Sequence, residues 1–315
     1  MTSKNSNSNI TTPLHVPIDY NNLASYDEIY NKIKPFDLIA FRGGDIISDI
    51  ISNIEFHQVD VGTFSHVGMA VTSDILPFYI ADGEKKYLDP DKIYLFESTI
   101  SYNIPYVDGA PDITTGRGKL GVQLRDLQEV IPRYITNETT RVAWCKLIHN
   151  PLDRIDDESD DSHNARRSII ATRFQEFFSQ YQGRMYEMSF IGLFSSIFPS
   201  LRGLRKIRDF LCTKLYSFLN YCGITKNNSL GPAGWQFCSE LVAAVYKDFD
   251  IIPDSFEPKD VVPVDFFGCD EDGLPVVVES PVFIKDYSIP SQPAFQYKTT
   301  RSPLEGKSCS TTYLD

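Results

Sequence analysis

Cys238 lies in Trp235-Gln236-Phe237-Cys238-Ser239-Glu240-Leu241-Val242, directly after the chain-breaking run Gly231-Pro232-Ala233-Gly234. Apolar residues at 237, 241, 242, 245 and 249 recur at helical spacing, so a helix opens near Phe237 and runs to about Asp248. That places the thiol in a first helical turn, where unpaired N–H groups and the positive end of the dipole favour a thiolate. Thiol pKa values fall in such settings from about 8.5 to about 3.5–7.5. The plain alternative is a core cysteine packing like alanine. His66, in Phe64-Ser65-His66-Val67-Gly68-Met69-Ala70, is expected on a strand. The small residues at 65 and 68 leave room for a ligand or a partner helix to approach its backbone. Glu97, in Tyr94-Leu95-Phe96-Glu97-Ser98-Thr99, is a carboxylate in an apolar strand, a placement that most often just faces solvent. Taken together, the three residue types supply a thiol nucleophile, its proton acceptor and a group that orients the imidazole.

Other chemistries are weaker. Gly116-Arg117-Gly118-Lys119-Leu120-Gly121 matches G-x-G-x-x-G, but Pro111-Asp112-Ile113-Thr114-Thr115 precedes it and Val122-Gln123-Leu124 continues it as strand. A dinucleotide site needs a buried strand before and a helix after, so this run reads as a hairpin loop. The six cysteines (145, 212, 222, 238, 269 and 309) are too sparse in 315 residues for a disulfide scaffold, and the absence of a C-x-x-C pair argues against structural zinc. They read as free thiols of a reducing compartment. Of the remaining histidines (His15, His57, His149, His163), only His57 is a rival to His66.

The elements that must position these residues follow from the apolar pattern. Strands are expected at Phe36–Phe41, Phe64–Val71, Lys92–Thr99, Leu120–Leu124 and Arg141–Ile148, with a helix through Ile46–Ile54 after Gly43-Gly44-Asp45. The second half carries helices at about Ala165–Gln182, Leu201–Cys222 and Phe237–Asp248. Strands followed by helices indicate an α+β fold with an antiparallel sheet, or a half-barrel, packed against the Cys238 helix. Residues 1–20 read as a flexible N-terminal arm, 21–284 as one domain with an acidic loop at 152–163 and a helical insertion at 188–230, and 285–315 as a flexible tail.

Composition sets outer limits. The chain has 315 residues, a length that allows one or two domains, and 42% hydrophobic residues, enough for a core. Lys+Arg number 30 against 42 Asp+Glu, a net charge of −12 that disfavours general nucleic-acid binding and equally suits plain solubility. No window reaches the 18 or so uncharged apolar residues of a membrane span, and the polar start MTSKNSNSNITTP lacks a secretory signal. The expectation is an intracellular protein or one packaged in a virion.

The strand Phe36–Arg42, the blocks Phe64-Ser65-His66-Val67-Gly68 and Leu95-Phe96-Glu97, the run Gly121-Val122-Gln123-Leu124-Arg125-Asp126-Leu127 and Phe237-Cys238-Ser239-Glu240-Leu241-Val242 resemble the circularly permuted NlpC/P60 papain-like group. The likeness is to its YiiX/YebB-like branch, which has poxvirus relatives and is kin to lecithin:retinol acyltransferase. It covers roughly residues 35–265. The order His66, Glu97, Cys238 is the permuted one, and Gly183-Arg184-Met185-Tyr186 resembles the Gly-x-x-Tyr element of the group. The long segments 73–92 and 188–230 and the acidic loop depart from it.

The resemblance implies a permuted papain-like fold and a Cys238–His66–Glu97 triad needing no metal or organic cofactor. The activity expected is a cysteine-nucleophile hydrolase of peptidase or amidase type, acting through a thioester. The backbone N–H of Cys238 is then an oxyanion donor, with Gln236 a weaker candidate. The alternatives are a lipid-directed acyltransferase or esterase on the same site, and a non-catalytic binding protein on the same fold. The expected partner is an amide- or ester-containing substrate, peptide or lipid, and no nucleic acid. Leu201, Leu204, Ile207, Leu211, Leu215, Phe218 and Cys222 form one apolar stripe opposite Arg202, Arg205, Lys206, Arg208 and Lys214. This helix reads as core-facing or as a membrane-surface contact through 201–222.

Overall fold

The computed structural model describes residues 16, 18–42, 64–99, 110–116, 121–135, 141–186, 235–268 and 274–285. The strands are β1 (Leu23–Ser25), β2 (Leu38–Arg42), β3 (His66–Val71), β4 (Phe78–Ala81), β5 (Glu84–Tyr87), β6 (Tyr94–Thr99), β7 (Gly121–Asp126), β8 (Arg141–Cys145), β9 (Met185–Tyr186), β10 (Trp235–Gln236) and β11 (Val282–Lys285). The helices are α1 (Tyr26–Tyr30), α2 (Leu127–Tyr134), α3 (Asp160–Tyr181) and α4 (Cys238–Asp248). The expected helix at 46–54, the insertion at 188–230 with its 201–222 stripe, the tail beyond 285, His15, His57 and four of the cysteines lie outside the described residues.

The principal sheet has seven strands in the order β1-β11-β8-β2-β3-β6-β7. Its central strands β2, β3, β6, β7 and β8 are buried almost throughout because both faces are covered; β2, β3 and β8 are accordingly mostly apolar, whereas β6 and β7 bury polar side chains as well. Leu38, Ala40, Val67, Met69 and Phe96 face one core, which also holds α4 and the α3 phenylalanines. Ile39, Phe41, Ala70 and Leu95 face a second core, with residues of α1 and α2. All neighbours in this sheet are antiparallel except the edge pair β1–β11, which is parallel. The fold is therefore α+β with a mostly antiparallel sheet, as expected, but with a parallel edge that the strand pattern does not reveal. No helix among the described residues is long and apolar enough to cross a membrane.

Local chemistry accounts for the helix starts. Ser25 accepts the Glu28 N–H, and the Glu28 carboxylate accepts the Ser25 N–H, a reciprocal cap on α1. Asp126 accepts the Gln128 N–H at the start of α2. Ser159 caps α3, so the acidic run does not remain a loop to 163: Asp160 and Asp161 form the first helical turn, where the dipole favours negative charge. From α3, Phe174 and Phe178 meet Phe96 at ring-centroid distances of 5.9 and 5.6 Å.

One knot fixes the entry to β2. Phe36 has φ of +71°, a left-handed conformation unusual for a bulky residue. Its N–H donates to Ala70 O, and its carbonyl accepts the Tyr246 hydroxyl of α4 at 2.7 Å. The buried Asp37 beside it accepts the Leu147 and Lys34 N–H groups and the Trp144 indole N–H. Nearer the N-terminus, within the span read as an arm, Val16 is buried and its N–H donates to Phe267 O.

Candidate active site

Cys238 is the first residue of α4, and α4 packs on β3 and β6, the strands that carry His66 and Glu97. The chain reaches Cys238 through β10, which pairs in parallel with β9. The residue before β9 bonds in turn to β7 through Val122 N–H to Arg184 O. Two turns downstream of the helix, Val261 O accepts the buried Ser239 hydroxyl at 2.7 Å. The helix start is thus held from both sides.

His66 opens β3. Its Nε2 lies 2.5 Å from Glu97 Oε2, and its side chain is 11% exposed whereas Glu97 is fully buried. The ring also hydrogen-bonds the Cys238 thiol. With Nε2 engaged by the carboxylate, Nδ1 is the nitrogen left for sulfur. Gly68 makes this arrangement sterically available. A Cβ there would stand 2.6 Å from Leu95 Cδ1 and 3.1 Å from Glu97 Cβ. The space expected beside His66 for a ligand or helix is filled at 68 by these β6 side chains. The helix approaches the strand at Val67, whose N–H bonds the Cys238 sulfur.

The electrostatics follow from these contacts. Burial pushes the Cys238 thiol up, but His66 and the N–H groups of Val67 and Ser239 outweigh it and hold the pKa below its ordinary value. Burial disfavours charge on His66, yet Cys238 and Glu97 together keep its pKa well above the usual 6.5. Burial also opposes ionisation of Glu97, and the guanidinium of Arg125 with the His66 ring reverses this, leaving the carboxyl below the usual range. Each shift favours a thiolate, an imidazolium and a carboxylate in line.

The structure brings the three expected residues, Cys238, His66 and Glu97, into one hydrogen-bonded row. It adds Arg125, to which sequence reasoning assigns no role. Arg125 Nε donates to Glu97 Oε1 at 2.5 Å, and its Nη2 meets the same oxygen. Tyr134 of α2 hydrogen-bonds the guanidinium. The signal available was the alternation Val122-Gln123-Leu124-Arg125, which reads as a solvent-facing polar set and is in fact buried. Elsewhere the chain continues from Gly121 as strand, as expected, while residues 117–120 of the glycine motif lie outside the described residues. His163 bonds Glu158 in a partly buried contact at the start of α3, and His149 is exposed. Among the described residues no group of three or more His, Cys, Asp and Glu side chains is arranged to hold a metal ion. No family model matches the chain, and no curated protein is similar to it in sequence.

Proposed function

We propose that the protein is a cysteine-nucleophile hydrolase of peptidase or amidase type, on a circularly permuted papain-like fold of the NlpC/P60 kind. The observation that carries this reading is the row Cys238–His66–Glu97, with its thiol in the first turn of α4 and its pKa held down by neighbours. The Cys238 thiolate adds to an amide carbonyl carbon, and the oxyanion is stabilised by N–H groups at the helix start, that of Cys238 first among them. The imidazolium of His66 protonates the leaving amine as the C–N bond breaks, giving a thioester. His66, now neutral, takes a proton from water as its oxygen attacks the thioester, and the thiolate leaves with the proton back on His66. Glu97 holds Nε2–H, so that Nδ1 faces sulfur throughout.

The lipid-directed alternative uses the same site, and the 201–222 stripe that would favour it lies outside the described residues. The test is incubation of the protein with peptide and lipid extracts, followed by intact-mass analysis with Cys238→Ala as control. An acyl adduct confined to wild type and derived from peptide is expected. A lipid acyl adduct transfers the site to the alternative reading. No adduct, together with a Cys238 that titrates as an ordinary thiol, overturns both.

A further inference from the structure

The Glu97 carboxylate divides its two oxygens between two partners. Oε2 goes to His66 Nε2, and Oε1 accepts the Nε–H of Arg125, with Nη2 in ion-pair contact with the same oxygen. The Arg125 side chain is 3% exposed and Glu97 is closed to solvent, so water cannot substitute for either partner. The cross-strand register puts them there: Glu97 faces Gln123 and Leu95 faces Arg125, so Glu97, Gln123 and Arg125 stand on one face of the β6–β7 pair.

Resting on the thiol-nucleophile reading, we propose that Arg125 is a positioning residue that keeps Glu97 ionised and so lets the Cys238–His66 ion pair persist to lower pH. Thiolate, imidazolium, carboxylate and guanidinium alternate in sign and sum to zero. Without Arg125 the buried row would carry a net negative charge, and removing one partner of a buried pair leaves an uncompensated charge that is costly to keep. The least costly relief is a proton on Glu97. A protonated carboxyl directed at His66 donates its O–H to Nε2, where the carboxylate accepted from it. Nε2 then carries no proton, and the ring proton moves to Nδ1, the nitrogen facing sulfur. In that tautomer His66 cannot take the thiol proton, so the nucleophile is lost although every side chain is still present.

The groups around Glu97 leave no other cation to replace Arg125 among the described residues. On β3 it meets His66, on β7 Arg125 and the neutral Gln123, and Tyr134 of α2 bonds Arg125 from the far side. Cys238 of α4 reaches it only through His66. On β2 the residues opposite Gly68 and His66 are Ile39 and Phe41, which carry no charge.

The experiment measures the pH midpoint of Cys238 alkylation by iodoacetamide in wild type, R125M, R125K, E97Q and E97Q/R125M, with melting temperatures alongside. In R125M the midpoint is expected to rise, by less than the roughly 1–3 pH units that a directly neighbouring opposite charge commands, because the effect reaches Cys238 through Glu97 and His66. R125K, which keeps the charge and loses the fork, should lie between wild type and R125M. A purely structural role would lower the melting temperature and leave the midpoint alone. Because Arg125 acts only through Glu97, E97Q and E97Q/R125M should share one midpoint. That pair carries the test where R125M fails to fold: the double variant buries no lone charge, and the melting temperature of E97Q, which leaves Arg125 unpaired, shows that the comparison is between folded proteins. A low wild-type midpoint unchanged in R125M, or a difference between E97Q and E97Q/R125M, overturns the role of Arg125 alone. An ordinary thiol midpoint in wild type overturns the underlying thiol-nucleophile reading instead.

Discussion

Two buried thiols of this protein, Cys238 and Cys145, are held in opposite ways. At Cys145 burial raises the pKa well above the ordinary 9.0 and the nearby Asp37 adds to it, because nothing positive lies at hand to favour a thiolate. At Cys238 the same burial is outweighed by an imidazole and two N–H groups. Burial alone therefore says nothing about reactivity, and the neighbours decide. Mild alkylation of the native protein near pH 7 should modify Cys238 and spare Cys145, as read by peptide mass mapping. The pH dependence has two limbs. The ion pair forms as pH rises through the lowered Cys238 value and is lost as pH rises further through the raised His66 value, so the rate of acyl-enzyme formation should be bell-shaped. Cys238→Ala should abolish turnover. His66→Ala should reduce it by about 10³-fold or more, and Glu97→Gln by roughly 10- to 100-fold, because Glu97 orients the ring but forms no bond to substrate. A Glu97→Gln variant as active as wild type would assign the orienting role elsewhere.

At the scale of elements, the geometry depends on a glycine at the point where two strands exchange side chains. Gly68 of β3 gives Glu97 and Leu95 of β6 the space they occupy, and an added methyl would press on the Leu95 tip and on Glu97 Cβ. Leu95 can yield by changing rotamer, but Cβ of Glu97 is fixed to the backbone. Gly68→Ala should therefore cost about 1–3 kcal/mol, the range for overpacking a core, and also separate Glu97 from His66. The expected signature is a lowered melting temperature together with a Cys238 alkylation midpoint moved up; a destabilised variant with an unmoved midpoint would show that the strands accommodate the methyl without disturbing the row. The same elements show what was legible beforehand. Strands β2, β3 and β8 read clearly because a sheet buried on both faces makes nearly unbroken apolar runs, β6 and β7 because apolar residues recur along them, and α4 because a turn signal precedes its apolar period. Helix α2 did not: Pro132 sits inside it, and a proline argues against a helix interior. Strand β11 is four residues long beside a polar tail, and its insertion between β1 and β8 is a long-range pairing that local pattern does not encode. Arg125 was hidden for a related reason, since alternation along a strand identifies two faces but not which of them meets water.

At the scale of the whole molecule, stability with pH is set by carboxylates pulled in opposite directions. Glu97 and Glu158 have lowered pKa values, the latter to about 2 through Arg166, so their contribution is present at neutral pH and lost as pH falls. Asp37 runs the other way. Burial raises it from 3.8 to about 6, despite the N–H groups of Leu147 and Lys34 and the indole of Trp144. The folded chain then binds this proton more tightly than the unfolded chain, and between those two values stability falls as pH rises. At roughly 1.36 kcal/mol per unit the full effect is of order 3 kcal/mol, a large share of the marginal stability of a domain. Asp37 joins the entry of β2 to β8 and the turn after it, so this titration loosens the centre of the sheet and not its rim. Asp37→Asn removes the titration while keeping the shape. Its amide N–H groups face donors, so it should be less stable than wild type at every pH. The informative quantity is the difference between the two proteins: the advantage of wild type in urea unfolding should shrink by roughly 2.4 kcal/mol from pH 4 to pH 7, the part of the full effect that lies above pH 4. Trp144 gives an independent view, because its indole N–H donates to the titrating oxygen. The chain has two tryptophans, so Trp235→Phe leaves Trp144 as the single emitter, and its fluorescence should titrate with a midpoint near 6 in the folded protein. A flat emission profile from pH 4 to 8, with a wild-type advantage that does not shrink, would show that the three N–H donors keep Asp37 ionised throughout.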